Sequence, residues 1–248
     1  MSSVNDMTAP PQSHVAQDYI GDELELFEIA TTWKAYFARH LAPFISGDVA
    51  EVGAGLGGTT RLLCTGSETS WTALEPDADL CSDISRKLAA GALPKTVTPI
   101  VATLADLEPE VLFDTILYID VLEHIEQDKA EVERAAAHLK PGGHLIVLAP
   151  AHQSLYTPFD KAIGHFRRYT KSSLLALEPS GLQVHKAFYL DSVGMLASLA
   201  NKLLLKQAQP KRSQIRFWDR VLVPASKLFD VLTVKALGKT VIAIWQKP

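Results

Sequence analysis

Short apolar runs and segments with apolar residues every three or four positions take turns along this chain, from about Val49 to Pro150. The runs read as buried strands, and the three-to-four spacing reads as one face of a helix. Such alternation predicts parallel strands joined by right-handed crossovers. Pro94, Pro99, Pro109 and Pro141 mark loops between them. Upstream, Leu26, Ile29, Ala30, Trp33, Phe37 and Leu41 share one helical face, which predicts a helix over about 22–41 with Asp22 near its N-cap. Residues 1–20 are polar, contain Pro10-Pro11 and read as a flexible tail. Beyond Thr170 the pattern gives a helix over 171–177 and a strand over 182–189. Amphipathic helices over 192–206 and 213–236 follow, the second disturbed at Pro224, and then a final strand over 239–246. The organisation expected is a tail (1–20) and one domain (21–248), with 192–236 a helical insertion or lid.

Composition narrows the class. A length of 248 residues and a 47% hydrophobic fraction suit one α/β domain with additions. The net charge of −4 argues against nucleic acid as a partner. Cys64 and Cys81 have no metal-ligand or disulfide spacing, which fits buried thiols in a reducing cytoplasm. There is no signal-peptide pattern, and no apolar run reaches the ~18 residues of a spanning helix. Residues 202–239 differ from the rest: nine Lys/Arg stand against only Asp219 and Asp230, interleaved with Leu203, Leu204, Phe217, Trp218, Val221, Leu222, Leu228 and Phe229. A basic amphipathic segment of this kind serves as a substrate lid, a homodimer surface or a peripheral membrane contact.

The chemistry is concentrated in four stretches. In Val49-Ala-Glu-Val-Gly-Ala-Gly-Leu-Gly-Gly58 a strand runs into a glycine turn ahead of a helix, an arrangement that lets backbone approach a nucleotide-like ligand. Gly53, Gly55 and Gly58 satisfy G-x-G-x-x-G, so a dinucleotide oxidoreductase is one reading, although no Tyr-x-x-x-Lys accompanies the loop. Glu75 follows the strand-like Trp71–Leu74 and is placed to accept ribose hydroxyls, a feature common to NAD and S-adenosylmethionine (AdoMet). Next come Phe113–Ile125, with Asp120 and Glu123-His124, and the turn and strand Leu139-Lys-Pro-Gly-Gly-His-Leu-Ile-Val-Leu-Ala-Pro150.

In this order and spacing the stretches resemble the class I AdoMet-dependent methyltransferases of the small-molecule branch, with their E-x-G-x-G-x-G, acid, D-x-L-E-H and L-K-P-G-G pattern. The resemblance covers roughly residues 30–150. It implies a Rossmann-like, seven-stranded, mostly parallel sheet with helices on both faces, closed by an antiparallel edge pair from the strands near 183–189 and 240–246. It implies AdoMet as cofactor, with Gly53, Gly55 and Gly57 beneath the methionine and ribose and Glu51 toward the ammonium. Glu75 and Pro76 would lie at the ribose, Thr103 and Leu104 at the adenine, and Asp120 near the transferring methyl. Trp33 and Tyr36 share a face of a helix that would lid the cofactor, where a ring favours the sulfonium. His124 is a candidate base because its ordinary pKa lies near neutrality. His152, Tyr156 and His165 lie in the loop after the fifth strand, within a stretch resembling the G-H-x-R-R-Y segment of a bacterial methyltransferase subgroup, and are candidates to contact the acceptor. A divalent ion at Asp120, Glu123 and His124 is not expected, since one helical turn rarely supplies a whole site. The expected reaction is in-line methyl transfer to a small or lipid-like metabolite, at oxygen because bases are plentiful. A non-catalytic AdoMet-binding partner protein is the remaining alternative.

Overall fold

The computed structural model describes residues 27–202 and 211–248. The tail over 1–20, Asp22, Leu26, Leu203, Leu204 and Lys206 therefore lie outside the described residues. Seven strands, β1 (Asp48–Val52), β2 (Ser70–Leu74), β3 (Val97–Ile100), β4 (Phe113–Ile119), β5 (Leu139–Pro150), β6 (Gln183–Leu190) and β7 (Thr240–Gln246), form one sheet in the order β3-β2-β1-β4-β5-β7-β6. The first five are mutually parallel, and β7 runs antiparallel to both β5 and β6.

Strand side chains alternate between faces, and both faces are covered. Leu117, Ile146, Leu148, Ile242 and Ile244 share one core with Trp33, Phe37 and Leu41 of helix α1 (Thr31–Leu41). Their immediate neighbours Ile116, Tyr118, Leu145, Val147, Val241 and Ala243 face the other core, under α4 (Asp128–Ala137) and α6 (Lys171–Leu175). Leu145 to Leu148 are wholly inaccessible. Each large aliphatic side chain so buried contributes roughly 1.5–3 kcal/mol, which is why these strands read as continuous apolar runs rather than as alternating ones. The remaining helices are α2 (Gly58–Leu63), α3 (Ala78–Ala89), α5 (Pro158–Ala162), α7 (Ser192–Ala200), α8 (Arg212–Phe217) and α9 (Val223–Leu232).

Three elements depart from the sequence pattern. The helix expected over about 22–41 is interrupted within the described residues: Phe27 and Glu28 are helical, the helix breaks at Ile29–Ala30, and α1 begins at Thr31. Its first N–H groups are capped from elsewhere in the chain, Asp219 accepting from the backbone of Thr32 (3.2 Å) and Trp33 (2.8 Å). Glu123-His124 does not open a helix but sits in a 3-10 turn, Leu122–His124, with α4 starting only at Asp128. The disturbance expected at Pro224 appears as a π-helical segment, Trp218–Leu222, immediately before it; Pro224 then falls in the first turn of α9, where its missing N–H costs least.

Candidate active site

The carboxyl ends of β1 and β4 are neighbours, with Val52 opposite Tyr118. Their following loops turn to opposite sides of the sheet, the point at which open α/β sheets bind ligands. After β1 the chain turns through Gly53 (φ +68°), Gly55 (+56°) and Gly57 (+74°), with Gly53 and Ala54 donating to the Leu74 carbonyl. A Cβ on Gly53 would meet Val121 Cγ2 at 2.7 Å. After β4, Asp120 takes a left-handed φ of +55°, a strained conformation for a non-glycine residue.

A cavity of about 290 Å³ opens here, lined by Gly53–Leu56, Asp120, Glu123, His124, His165 and Arg168, and roofed by α1. Phe27, Trp33, Phe37 and Trp218 give the cavity aromatic walls, with Trp33 and Trp218 ring centroids 5.8 Å apart. Asp191 holds this wall from behind: its carboxylate accepts from Trp218 Nε1 (2.7 Å) and Ser226 Oγ (2.6 Å) and lies 3.6 Å from Lys239 Nζ. Lys239, itself at the cavity, lies over the Trp218 ring at 3.8 Å. The Lys34 ammonium sits beside the glycine loop, 3.1 Å from where a Gly58 Cβ would be.

Titratable groups line the cavity as well. Asp120 projects into the cavity, open to it yet surrounded by protein, so burial pushes its carboxyl up to about 6 against the pull of His165, Lys239, Lys34 and Arg168. Burial and the neighbouring His165 charge push His124 down to about 4. His165 Nδ1 lies 3.1 Å from Asp160 Oδ1. Burial of Asp160 works against its charge, but bonds from His165 and Thr157 and the guanidinium of Arg168 hold the carboxyl down at about 2. The ionised Asp160 orients the His165 ring through Nδ1, and Nε2 faces Glu123 Oε1 at 3.8 Å.

Of the residues expected from sequence, the cavity gathers Trp33, Gly53, Gly55, Asp120, His124 and His165. The others stand outside its lining. Glu51 is buried beneath the loop, where its Oε2 accepts from Thr60 Oγ1 (2.6 Å) and Trp71 Nε1 (2.9 Å). Tyr36 donates to Asp230 (2.9 Å). Gly57 is the left-handed N-cap residue of α2. Glu75 accepts from the Gly55 N–H (2.7 Å) and the Asp77 N–H (3.0 Å), bracing the glycine turn, and Pro76 is exposed next to it. Thr103 closes a capping box with Asp106, and Leu104 is core. Tyr156 Oη donates to the His165 carbonyl (2.6 Å), and the His152 ring stacks on Tyr189, so both support the acceptor-side loops. Sequence reasoning missed Phe27, Lys34, Phe37 and Lys239 at the cavity, and read Trp218 only as an apolar position. Trp218 and Lys239 lie far along the chain from the glycine loop, and no local pattern marks them.

Residues 50–145 match a family model described as a methyltransferase domain. A search of curated protein sequences gives no match. Among solved structures, the chain is similar to a putative sarcosine dimethylglycine methyltransferase from Galdieria sulphuraria (TM-score 0.59, 14% identity, 88% of this chain and 85% of that one). It is also similar to the N-methyltransferase NodS of Bradyrhizobium japonicum, solved with S-adenosylhomocysteine (0.59, 14%, 95% and 100%), and to the [4+2]-cyclase SpnF (0.63, 15%, 97% and 97%). The dinucleotide fold, by contrast, keeps a parallel strand where β7 runs antiparallel here. Residues 50–145 thus match a methyltransferase-domain model, and the seven-stranded sheet that contains them has the fold of these solved methyltransferases.

Proposed function

We propose that the protein transfers the methyl group of AdoMet to an oxygen of a small-molecule or lipid-like acceptor held in this cavity. The observation that carries the reading is the lining. Trp33 and Phe37 bring aromatic rings to the cavity, where a ring favours a sulfonium, and His165, oriented by Asp160, brings an imidazole to the same space. The chain's part is to hold sulfur, methyl carbon and acceptor oxygen in line, to exclude water, and to ease loss of the hydroxyl proton. Lys34 beside the glycine loop would meet the methionine carboxylate, and Asp120 the ammonium. Glu51 is not given that role, because both its donors come from within the fold.

The fold alone does not fix the reaction, since a cyclase shares it. Isothermal titration with S-adenosylhomocysteine, alongside NAD and NADP, tests the cofactor. Micromolar affinity for the first alone is expected, and nicotinamide binding would return the glycine loop to the oxidoreductases. Methyl-labelled AdoMet and a panel of hydroxylated acceptors then test oxygen methylation, with a labelled O–CH3 as the expected product. Cofactor binding with no turnover on any acceptor would favour the non-catalytic partner.

A second feature bears on the acceptor. Arg212, Arg216 and Arg220 recur every four residues and are exposed, beside exposed Phe217 (56%), Val221 (50%), Leu228 (62%) and Leu232 (67%). The two acids of this segment, Asp219 and Asp230, are buried and face inward. We infer that this basic, apolar outer face rests on an anionic bilayer surface, which suits a lipid-like acceptor. No described helix is long and apolar enough to cross a membrane.

A further inference from the structure

The acceptor end of the cavity brings together three donors of metal-binding type from two places in the chain. Glu123 and His124 come from the turn after β4 and His165 from the loop after α5, and one ligand atom of each lies within 4.8 Å of the others. His165 Nε2 and Glu123 Oε1 are 3.8 Å apart. That is too long for a hydrogen bond, but near the ~3.4 Å that separates two ligands of one tetrahedral ion bound at about 2.0–2.2 Å. The two imidazoles stand nearly perpendicular (85°) with centroids 4.5 Å apart, so they meet edge to face rather than stacking.

The surroundings fit the same purpose. Asp160 bound to Nδ1 is the carboxylate partner that metal-ligating histidines commonly carry; it orients the ring and raises the basicity of Nε2. The loop that delivers His165 is pinned to the turn that delivers Glu123, because the Phe166 N–H donates to the Glu123 carbonyl at 2.8 Å. All three side chains line the cavity, so a ligand held between them would keep one face toward it.

We propose that Glu123, His124 and His165 bind one divalent cation of the zinc class, with an open position toward the acceptor. Two imidazoles and a carboxylate with an open fourth position form a donor set of catalytic zinc. The third ligand arrives from a distant loop, which removes the objection that a single turn cannot supply a site. The use of the ion rests on the O-methyl reading, whereas its binding does not. A hydroxyl bound at the open position is acidified. With the ion bound, His165 Nε2 is a ligand and not the base, so the proton leaves to water, the oxygen forms the O–CH3 bond as the S–CH3 bond breaks, and the sulfonium becomes a neutral thioether. Because catalytic zinc can expand to five ligands, such a site favours acceptors whose hydroxyl has a second oxygen beside it to chelate, such as a catechol or an α-hydroxy acid.

The test is titration of chelator-treated full-length protein with Co2+, followed by visible absorption, and with Zn2+ by calorimetry. One equivalent is expected, with ligand-field bands that Zn2+ abolishes. Glu123→Gln and His165→Ala should each weaken the ion by at least about tenfold while S-adenosylhomocysteine affinity stays unchanged, which also shows that the variants fold. Absence of ion binding at millimolar metal, with S-adenosylhomocysteine still bound, would overturn the cation site and leave the methyltransferase reading standing. Failure of the wild type to bind S-adenosylhomocysteine would count against that reading instead, whatever the metal result.

Discussion

Glu51 shows how a motif residue can be held by the fold around it. It occupies the acid position of the glycine motif, yet its carboxylate is buried at the base of the loop and tied to Thr60 and Trp71. Burial pushes its pKa up to about 7, with the two hydrogen bonds opposing and the nearby Glu75 charge assisting. Because the folded pKa exceeds the ordinary carboxylate value, this group's contribution to stability is complete in acid and is lost as pH rises from about 4.5 through 7. Glu51→Gln keeps an oxygen for both donors and has no charge to bury. Urea denaturation at pH 5 and pH 8 should therefore show the variant gaining on the wild type at the higher pH, by up to about 3 kcal/mol; parallel stabilities at the two pH values would contradict this. The residue types of the motif were readable from spacing, but the direction in which Glu51 points depends on Thr60 and Trp71 closing around it. Only the packed fold supplies that.

Among the elements, α1 depends most on distant partners. It has no side-chain cap of its own, since Ala30 stands at the N-cap; Asp219 substitutes from the π-helical segment, and Tyr36 bonds Asp230 of α9. The roof of the cavity and the C-terminal helices therefore form one unit, and the segment expected to be a lid over the acceptor also positions α1. Asp219→Ala should cost about 1 kcal/mol, the usual worth of a cap, and should speed amide exchange at Thr32 and Trp33 while lowering S-adenosylhomocysteine affinity. Unchanged exchange would show that the cap is dispensable. The sheet was legible beforehand because apolar runs and glycine turns are local signals; the prolines were poorer guides, since Pro99 and Pro141, expected in loops, lie within β3 and β5. The trans cap, the π segment and the 3-10 turn at Leu122–His124 were not, because each is settled by contacts between residues far apart in the chain.

On the scale of the whole molecule, charge is sorted by location. The net charge is −4, yet the outer face of α8 and α9 presents arginines and exposed apolar side chains with its acids turned inward. Each basic residue near an anionic bilayer contributes about 1 kcal/mol. Reversing the three arginines to glutamate should therefore cut co-sedimentation with phosphatidylglycerol vesicles by at least a hundredfold, with little binding of the wild type to neutral vesicles. Equal binding to both vesicle types, or a stable dimer burying the same face in ultracentrifugation, would remove the membrane reading. The basic run was visible in sequence; that Asp219 and Asp230 leave the surface was not, because it depends on what they hold.

The strand order has a consequence for biosynthesis. β7 is the last strand to be made, yet it sits between β5 and β6, and Lys239 and Thr240 at its entrance line the cavity. A nascent chain that has left the ribosome only as far as β6 offers that strand no sheet neighbour and lacks Trp218, Lys239 and the Asp219 that caps α1. The glycine loop emerges early, but the cavity gains its full lining only once β7 has slotted into the gap.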